Sequence, residues 1–373
     1  MIDASHYDRR IRAARERLEA VGGDALVCFP SRNLQYLTGF YEEPGERHLL
    51  LFVPVDGEPV VFVPAMYDEQ VREAIDVDDV RTWADEDDPR AALATVVEDL
   101  GLRTGDARVL VDETMHARFL LDLRAVLPDA SFGLASEALG PLRRRKDDEE
   151  LDAMRRSARV ADQVVDELRG MGPSVVGRTE RELAREIERL LVDAGGEDVS
   201  FGPIVASGPN GAKPHHGYGD RVIRSGDPVV LDFGTRVDGY VSDQTRTLVF
   251  DGRPSDAFRE AHDVVRRAQQ AGVEAVEPGA TAGDVDRAAR EVVEAAGYGE
   301  EFVHRTGHGV GLEVHEEPYV VAGSDLVLEE GMVFSVEPGV YVSGEFGVRI
   351  EDLVAVRADG CERLNRTDRG WGV

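Results

Sequence analysis

The chain has 373 residues, 42% of them hydrophobic, and a formal net charge of -30 from 73 acidic and 43 basic side chains. That length and apolar content suit two domains, each with its own core. Acid spread along the whole chain argues against a surface for nucleic acid or anionic lipid, and without a run of some 18 apolar residues no membrane span is expected.

Only Lys146 and Lys213 are lysines; every other basic residue is arginine. Diffuse acidity of this kind points to adaptation to high intracellular salt, where screening removes the self-repulsion of the surface. The N-terminal stretch MIDASHYDRRIRAARERLEA is charged and helical in pattern, with no apolar segment of a secretory signal. Cys28 and Cys361 are too few for a disulfide framework and read as reduced thiols. Together these features predict a cytoplasmic, halophilic protein.

In chain order, an amphipathic helix near 5–20 precedes strand-like runs at 24–29, 47–55 and 59–64. A helix near 90–100, a strand at 108–112 and a helix near 116–126 follow. Short apolar runs bounded by Gly, Pro and Asp predict strands buried in a mixed α/β layer. No His, Cys or carboxylate cluster stands out in this half. GPLRRRKDDEE (140–150) marks a boundary, with Asp147 or Asp148 placed to cap a helix running to about 169. Beyond it come a helix near 179–194, strands within 228–250, helices at 255–276 and 283–296, and strands within 332–356.

The second half echoes itself. VVLDFGTRVDGYVSDQTRTLVF (229–250) sets Asp232 and Asp243 on apolar strands joined by a turn, and MVFSVEPGVYVSGEFGVRIEDLVAV (332–356) sets Glu337 and Glu351 likewise. Two helices precede each unit, as expected of a duplicated α+β element. An unpaired carboxylate in an apolar strand costs several kcal/mol. One such residue is as readily a salt-bridged structural acid. Four in matched hairpins call for a counter-charge, which a pair of divalent cations supplies.

GHGVGLEVHEEP (307–318) adds a histidine between glycines. No lysine follows in the GxxxxGK[ST] manner and no βαβ unit opens here, which gives phosphate cradling poor support. The glycines let the backbone approach a crowded centre without Cβ clashes, and His308 becomes a metal-ligand candidate. Four carboxylates and one imidazole suit Mn²⁺, Co²⁺, Fe²⁺ or Zn²⁺ better than a thiolate-selective metal. His304, His315 and His215, the last in SGPNGAKPHHGYGD (207–220), stand where they could serve a substrate. His216 is expected to point elsewhere.

These motifs resemble the M24 metallopeptidases, the pita-bread fold of aminopeptidase P, prolidase and methionine aminopeptidase, and the resemblance covers nearly the whole chain. It implies an N-terminal α/β creatinase-like domain over 1–140, NLQYLTGF (33–40) included, and a catalytic α+β pita-bread domain over 141–373. It implies two divalent metals per subunit, Mn²⁺ or Co²⁺ first, bridged by Asp243 and Glu351, with Asp232 chelating one and His308 and Glu337 completing the other. Arg349 and Tyr341 match positions behind the ligands, with Arg349 expected to orient Glu351 or a bridging aspartate. The implied activity is hydrolysis of the bond before proline, as an Xaa-Pro dipeptidase or aminopeptidase, by a hydroxide held between the metals. In it Glu337 carries the proton, and His304 and His315, with His215, bind the substrate carbonyl. A homodimer is implied as well. The extra N-terminal domain argues against methionine aminopeptidase. Two other readings keep the fold: a hydrolase of a small osmolyte-like amide of ectoine or creatine type, and a non-catalytic binding module, which would be expected to have lost ligands.

Overall fold

Alternating apolar strands and amphipathic helices build the first of two units. The computed structural model describes residues 4–103 and 105–373, so the first three residues of the N-terminal stretch lie outside it. The chain divides into Met1–Arg143 and Arg144–Val373.

In the first unit α1 (Ala4–Ala20), β1 (Ala25–Cys28) and α2 (Arg32–Thr38) are followed by β2 (Leu50–Pro54), β3 (Val60–Pro64), α3 (Asp68–Ala74) and β4 (Asp79–Trp83). Then come α4 (Pro89–Asp99), β5 (Arg108–Val111), α5 (Ala117–Val126), β6 (Ser131–Leu134) and α6 (Ser136–Arg144). The six strands form one mixed sheet in the order β4-β3-β2-β1-β5-β6. Val27, Phe52, Phe62 and Val109 pack on Leu93, Val97, Phe119 and Leu123 of α4 and α5. NLQYLTGF forms most of α2, which Ser31 caps by accepting from the Asn33 and Leu34 N–H groups and Gly39 ends at φ 77°.

The second unit opens with α7 (Asp148–Met171) and α8 (Glu180–Asp193), both started by capping boxes, Asp147 with Glu150 and Thr179 with Glu182. β7 (Ile204–Ser207), β8 (Val229–Phe233), the short β9 (Arg236–Val237) and β10 (Tyr240–Val241), and β11 (Gln244–Leu248) follow. A second pair of helices, α9 (Asp256–Glu274) and α10 (Ala282–Ala295), leads to β12 (Gly307–Gly309), β13 (Glu316–Val320) and β14 (Val333–Val336). The unit ends with β15 (Gly339–Val342), β16 (Phe346–Arg349), β17 (Asp352–Arg357) and β18 (Gly360–Arg363). The two larger sheets run β11-β8-β7 and β13-β12-β14-β17-β18, while β9–β10 and β15–β16 pair as separate ribbons. Two helices before each sheet reproduce the internal echo.

Strand periodicity decides which way the acids face. In β8, Val229, Leu231 and Phe233 pack on α7 and α8, which turns Asp232 to the opposite face. In β14, Phe334 and Val336 pack with Val273 and Val285 of α9 and α10, which turns Ser335 and then Glu337 away from the helices. The same parity carries Asp243 with Thr245 and Glu351 with Leu353. Only Asp232 lies inside a strand: Asp243 precedes β11, Glu337 follows β14, and Glu351 sits between β16 and β17. This corrects the expectation of four strand-borne acids. Nor is QTRTL of β11 apolar, since Thr245, Arg246 and Thr247 are all buried.

Candidate metal centre

The acid-bearing face of the second unit lines a cleft of about 430 Å³. Asp232, Asp243, His308, Glu337 and Glu351 all reach it, as do His215, His304, His315 and Arg349. Asp232 is opposite Thr245 across the β8–β11 ladder. The two sheets meet here: the Glu351 N–H donates to the Thr245 carbonyl (3.1 Å), and the Thr245 hydroxyl donates to Glu351 Oε2 (2.6 Å).

His308 is held on both sides by close backbone. A Cβ on Gly307 would fall on the Ser335 carbonyl oxygen, and one on Gly309 on the Glu317 carbonyl oxygen. The His308 N–H donates to Ser335 Oγ (3.0 Å), and that hydroxyl donates to Glu337 Oε1 (3.1 Å). The His308 Nδ1 faces the Gly309 carbonyl at 3.2 Å, a pairing that needs the proton on Nδ1. Nε2 faces Glu337 Oε1 (3.2 Å) and Asp243 Oδ2 (3.8 Å), where it donates to a carboxylate when protonated and offers its lone pair to a cation when not. Ligand atoms of Asp243, His308 and Glu351 all lie within 4.8 Å of one another.

The electrostatics show what is missing from such a cluster. Burial, then Glu351, Asp232 and Glu337, push the Asp243 carboxyl well above the usual range. Burial, then Glu337 and Asp232, do the same to Glu351. Asp232 is also raised, by burial first, with Arg349 pulling against it. Burial pushes Glu337 up too, but the hydrogen bond and charge of His308 outweigh it and hold this carboxyl low. Asp232 Oδ1, Asp243 Oδ1 and Glu351 Oε1 are buried and meet no hydrogen-bond donor among the described residues. Buried carboxylate oxygens without donors fit divalent cations as their partners, so the residues present suit the metals that their chemistry implies.

Arg349 anchors the wall behind these acids. It donates to Asp232 Oδ2 (2.5 Å), Thr245 Oγ1 (3.1 Å), the Tyr341 hydroxyl (2.9 Å) and the Pro214 carbonyl (3.3 Å). It therefore orients Asp232 directly and Glu351 only through Thr245, where the sequence suggested Glu351 or a bridging aspartate. His304 joins the same wall. Its Nδ1 meets the Arg305 carbonyl (2.6 Å), which requires the proton there, so Nε2 accepts from the Tyr341 hydroxyl (2.9 Å). His304 thus fixes Tyr341 while lining the cleft. His315 packs its ring on His308, 4.2 Å between centroids, and its edge is open to the cleft. Burial first, then His308 and Arg305, hold it down at about 4. His215 is exposed in the same cleft.

His216 turns away from the cleft. Its Nε2 lies 2.9 Å from Glu180 Oε2, and the same buried carboxylate accepts from Ser207 N and Oγ, Asn210 Nδ2 and the Gly219 N–H. Glu180 thus ties down the loop that carries His215. Neither Glu180 nor Thr245 was singled out from sequence. Thr245 had a signal, two positions after Asp243 on one strand face. Glu180, 36 residues from His216, had none.

Paired acid hairpins, a histidine between glycines and donorless buried oxygens mark this cleft as a metal-binding centre. Residues 152–358 match metallopeptidase family M24, and residues 10–144 match the creatinase/prolidase N-terminal domain. The chain belongs to metallopeptidase family M24. It is 42% identical to the probable dipeptidase PepE of Mycobacterium tuberculosis, over 97% of this chain and 95% of that one. It is 37% identical to the Xaa-Pro dipeptidase of Lactobacillus delbrueckii subsp. lactis, over 94% and 95%. Among solved structures, a recombinant prolidase from Thermococcus sibiricus superposes with a TM-score of 0.94 at 38% identity, covering 100% of this chain and 99% of that one. No helix among the described residues is long and apolar enough to cross a membrane.

Proposed function

We propose that the protein is an Xaa-Pro dipeptidase that hydrolyses the bond before proline. The observation that carries this reading is the convergence of Asp232, Asp243, His308, Glu337 and Glu351 on one face, with buried oxygens left without donors. The full-length likeness to proteins named as dipeptidases and prolidases supplies the substrate class. Asp232, Asp243, His308, Glu337 and Glu351 would hold the divalent cations. Bound there, divalent cations supply Lewis acidity and make water acidic enough to attack near neutral pH. A donor set without thiolate favours Mn²⁺ or Co²⁺.

Glu337 takes the proton from the attacking water and returns it to the proline nitrogen as the amide bond breaks. His315 and His215, both facing the cleft, donate to the substrate carbonyl oxygen as charge develops on it. Arg349 fixes Asp232 and Thr245, and His304 fixes Tyr341, so the wall does not reorganise during the reaction. The reading extends to a homodimer working in the cytoplasm of a salt-rich cell, which the acid-covered surface supports.

Mn²⁺-loaded protein in concentrated KCl, offered an Xaa-Pro dipeptide beside an Xaa-Pro-Yaa tripeptide, tests this by mass spectrometry. Cleavage of the dipeptide is the expected result. Cleavage of the tripeptide alone would make the enzyme an aminopeptidase, and cleavage of neither by metal-loaded protein would bring the small-amide hydrolases forward. Full activity in dilute buffer would remove the salt adaptation.

A further inference from the structure

The three basic residues that open the second unit are each committed to an acid of its second repeat. Arg144 pairs with Glu317 (2.7 Å), Arg145 with Glu329 (3.0 Å) and Lys146 with Glu316 (2.6 Å). The backbone joins them, for the Lys146 N–H donates to the Gly331 carbonyl (2.8 Å). The two arginine pairs reach solvent and contribute little in salt. The lysine pair differs. Its side chains are 1% and 9% exposed, and a buried ion pair largely escapes screening. Lys146 is also one of two lysines in a chain whose other basic residues are arginine. A compact ammonium suits the confined space, since Glu316 Oε1 lies so close to Gly311 that a Cβ there would meet it.

What this pair holds in place follows from the chain order. Glu316 opens β13 directly after His315, which reaches into the cleft. The turn leading to them is fixed where it begins: the Val310 N–H donates to the Val333 carbonyl (3.1 Å), and the Val241 N–H to the Gly311 carbonyl (2.9 Å). At its far end the β12–β13 ladder is irregular, with a register shift between His308 and Gly309. Backbone pairing alone therefore leaves the aim of His315 loosely set, and the buried carboxylate of the next residue supplies the second anchor.

We propose that Lys146 is a positioning residue, which through its ion pair with Glu316 holds His315 in line with the substrate carbonyl. This rests on the Xaa-Pro dipeptidase reading and on the part His315 takes in it. The test follows Ala-Pro hydrolysis by metal-loaded full-length protein, with metal content and melting temperature measured for each variant. Lys146→Met is compared with the neutral pair Lys146→Met/Glu316→Gln, which strands no buried charge, and both are repeated in a His315→Ala background. In the wild-type background kcat should fall about tenfold in each, with KM and bound metal kept. In the His315→Ala background neither change should lower kcat further, because residues that act through one another are not additive. Losses that multiply in that background, a loss of bound metal, or wild-type kcat in the neutral pair overturn the assignment while leaving the dipeptidase reading intact. A neutral pair that does not fold makes the ion pair purely structural and overturns it too. A wild type that cuts no Ala-Pro overturns both readings.

Discussion

Asp112 of the first unit and the acid cluster of the second are both buried, in opposite ways. In the first unit Asp112 is 3% exposed, and its oxygens accept from the Phe29 N–H (2.5 Å), the Ser31 hydroxyl (2.9 Å) and the Asn33 amide. Burial pushes its carboxyl up to about 6, with those hydrogen bonds pulling against the shift. In the second unit Asp232, Asp243 and Glu351 are as deeply buried, yet each keeps one oxygen without a donor. A satisfied buried acid is part of a scaffold. A cluster of unsatisfied ones is a site whose partner comes from outside the chain.

The largest break in that comparison is expected from Asp243→Ala. Activity should fall to background and bound metal, read by elemental analysis, should drop, with the circular dichroism spectrum preserved. Turnover with normal metal content would remove Asp243 from the centre. In the metal-free protein the same substitution should be neutral or stabilising, because it removes a buried carboxyl crowded by Glu351, Asp232 and Glu337 and left without a donor on one oxygen. Asp112→Ala is the counterpart. It strands three donors and should destabilise the protein by about 3 kcal/mol in chemical denaturation, with metal content unchanged; a cost below about 1 kcal/mol would show that Asp112 is not the scaffold acid described.

Tyr341→Phe sharpens the comparison at smaller scale. It removes the hydroxyl joining His304 to Arg349, and kcat/KM should fall about tenfold while both metals are retained. An unchanged rate would mean that the wall needs no such tether. The gentlest effect is a tilt with pH. In the metal-free protein Asp243 and Glu351 have raised carboxyls, so the folded state holds protons that the unfolded chain has released. Its stability therefore falls as pH rises from about 4 through the raised values. Melting temperatures of chelator-treated protein should decline relative to the metal-loaded form as pH rises above the ordinary carboxyl range; parallel curves would refute the raised values.

The sequence exposed the centre more readily than its supports. VVLDFG, GHGVG, SVEPG and VRIED carry acids or a histidine where strand chemistry disfavours them, so each stands out without a structure. The helices of the second unit were equally visible from their caps and apolar periodicity. Hidden from view were groups whose meaning depends on a distant partner. Glu180 looks like an ordinary first-turn acid until Ser207, Asn210 and His216 arrive. Arg246 sits in an unremarkable QTRTL but is 1% exposed and paired with Asp352 at 2.6 Å. In the first unit β4 and β6 went unseen because DVRTW and SFGL, mostly half-exposed at the edges of the sheet, lack an apolar run. His304 shows the same dependence on distant partners. Its four-residue spacing from His308 suggests a shared task, but only the Tyr341 and Arg305 contacts reveal its protonation.

The seam at Thr245 and Glu351 has a mechanical meaning. Asp232 and Asp243 belong to the sheet of the first repeat, and His308, Glu337 and Glu351 to that of the second. Cations shared among them would cross-link the two repeats, much as a disulfide staples two loops, but with a fastening that a chelator can open. Slow amide exchange at the Glu351 N–H would then report the state of the fastening directly, quickening when the ions leave.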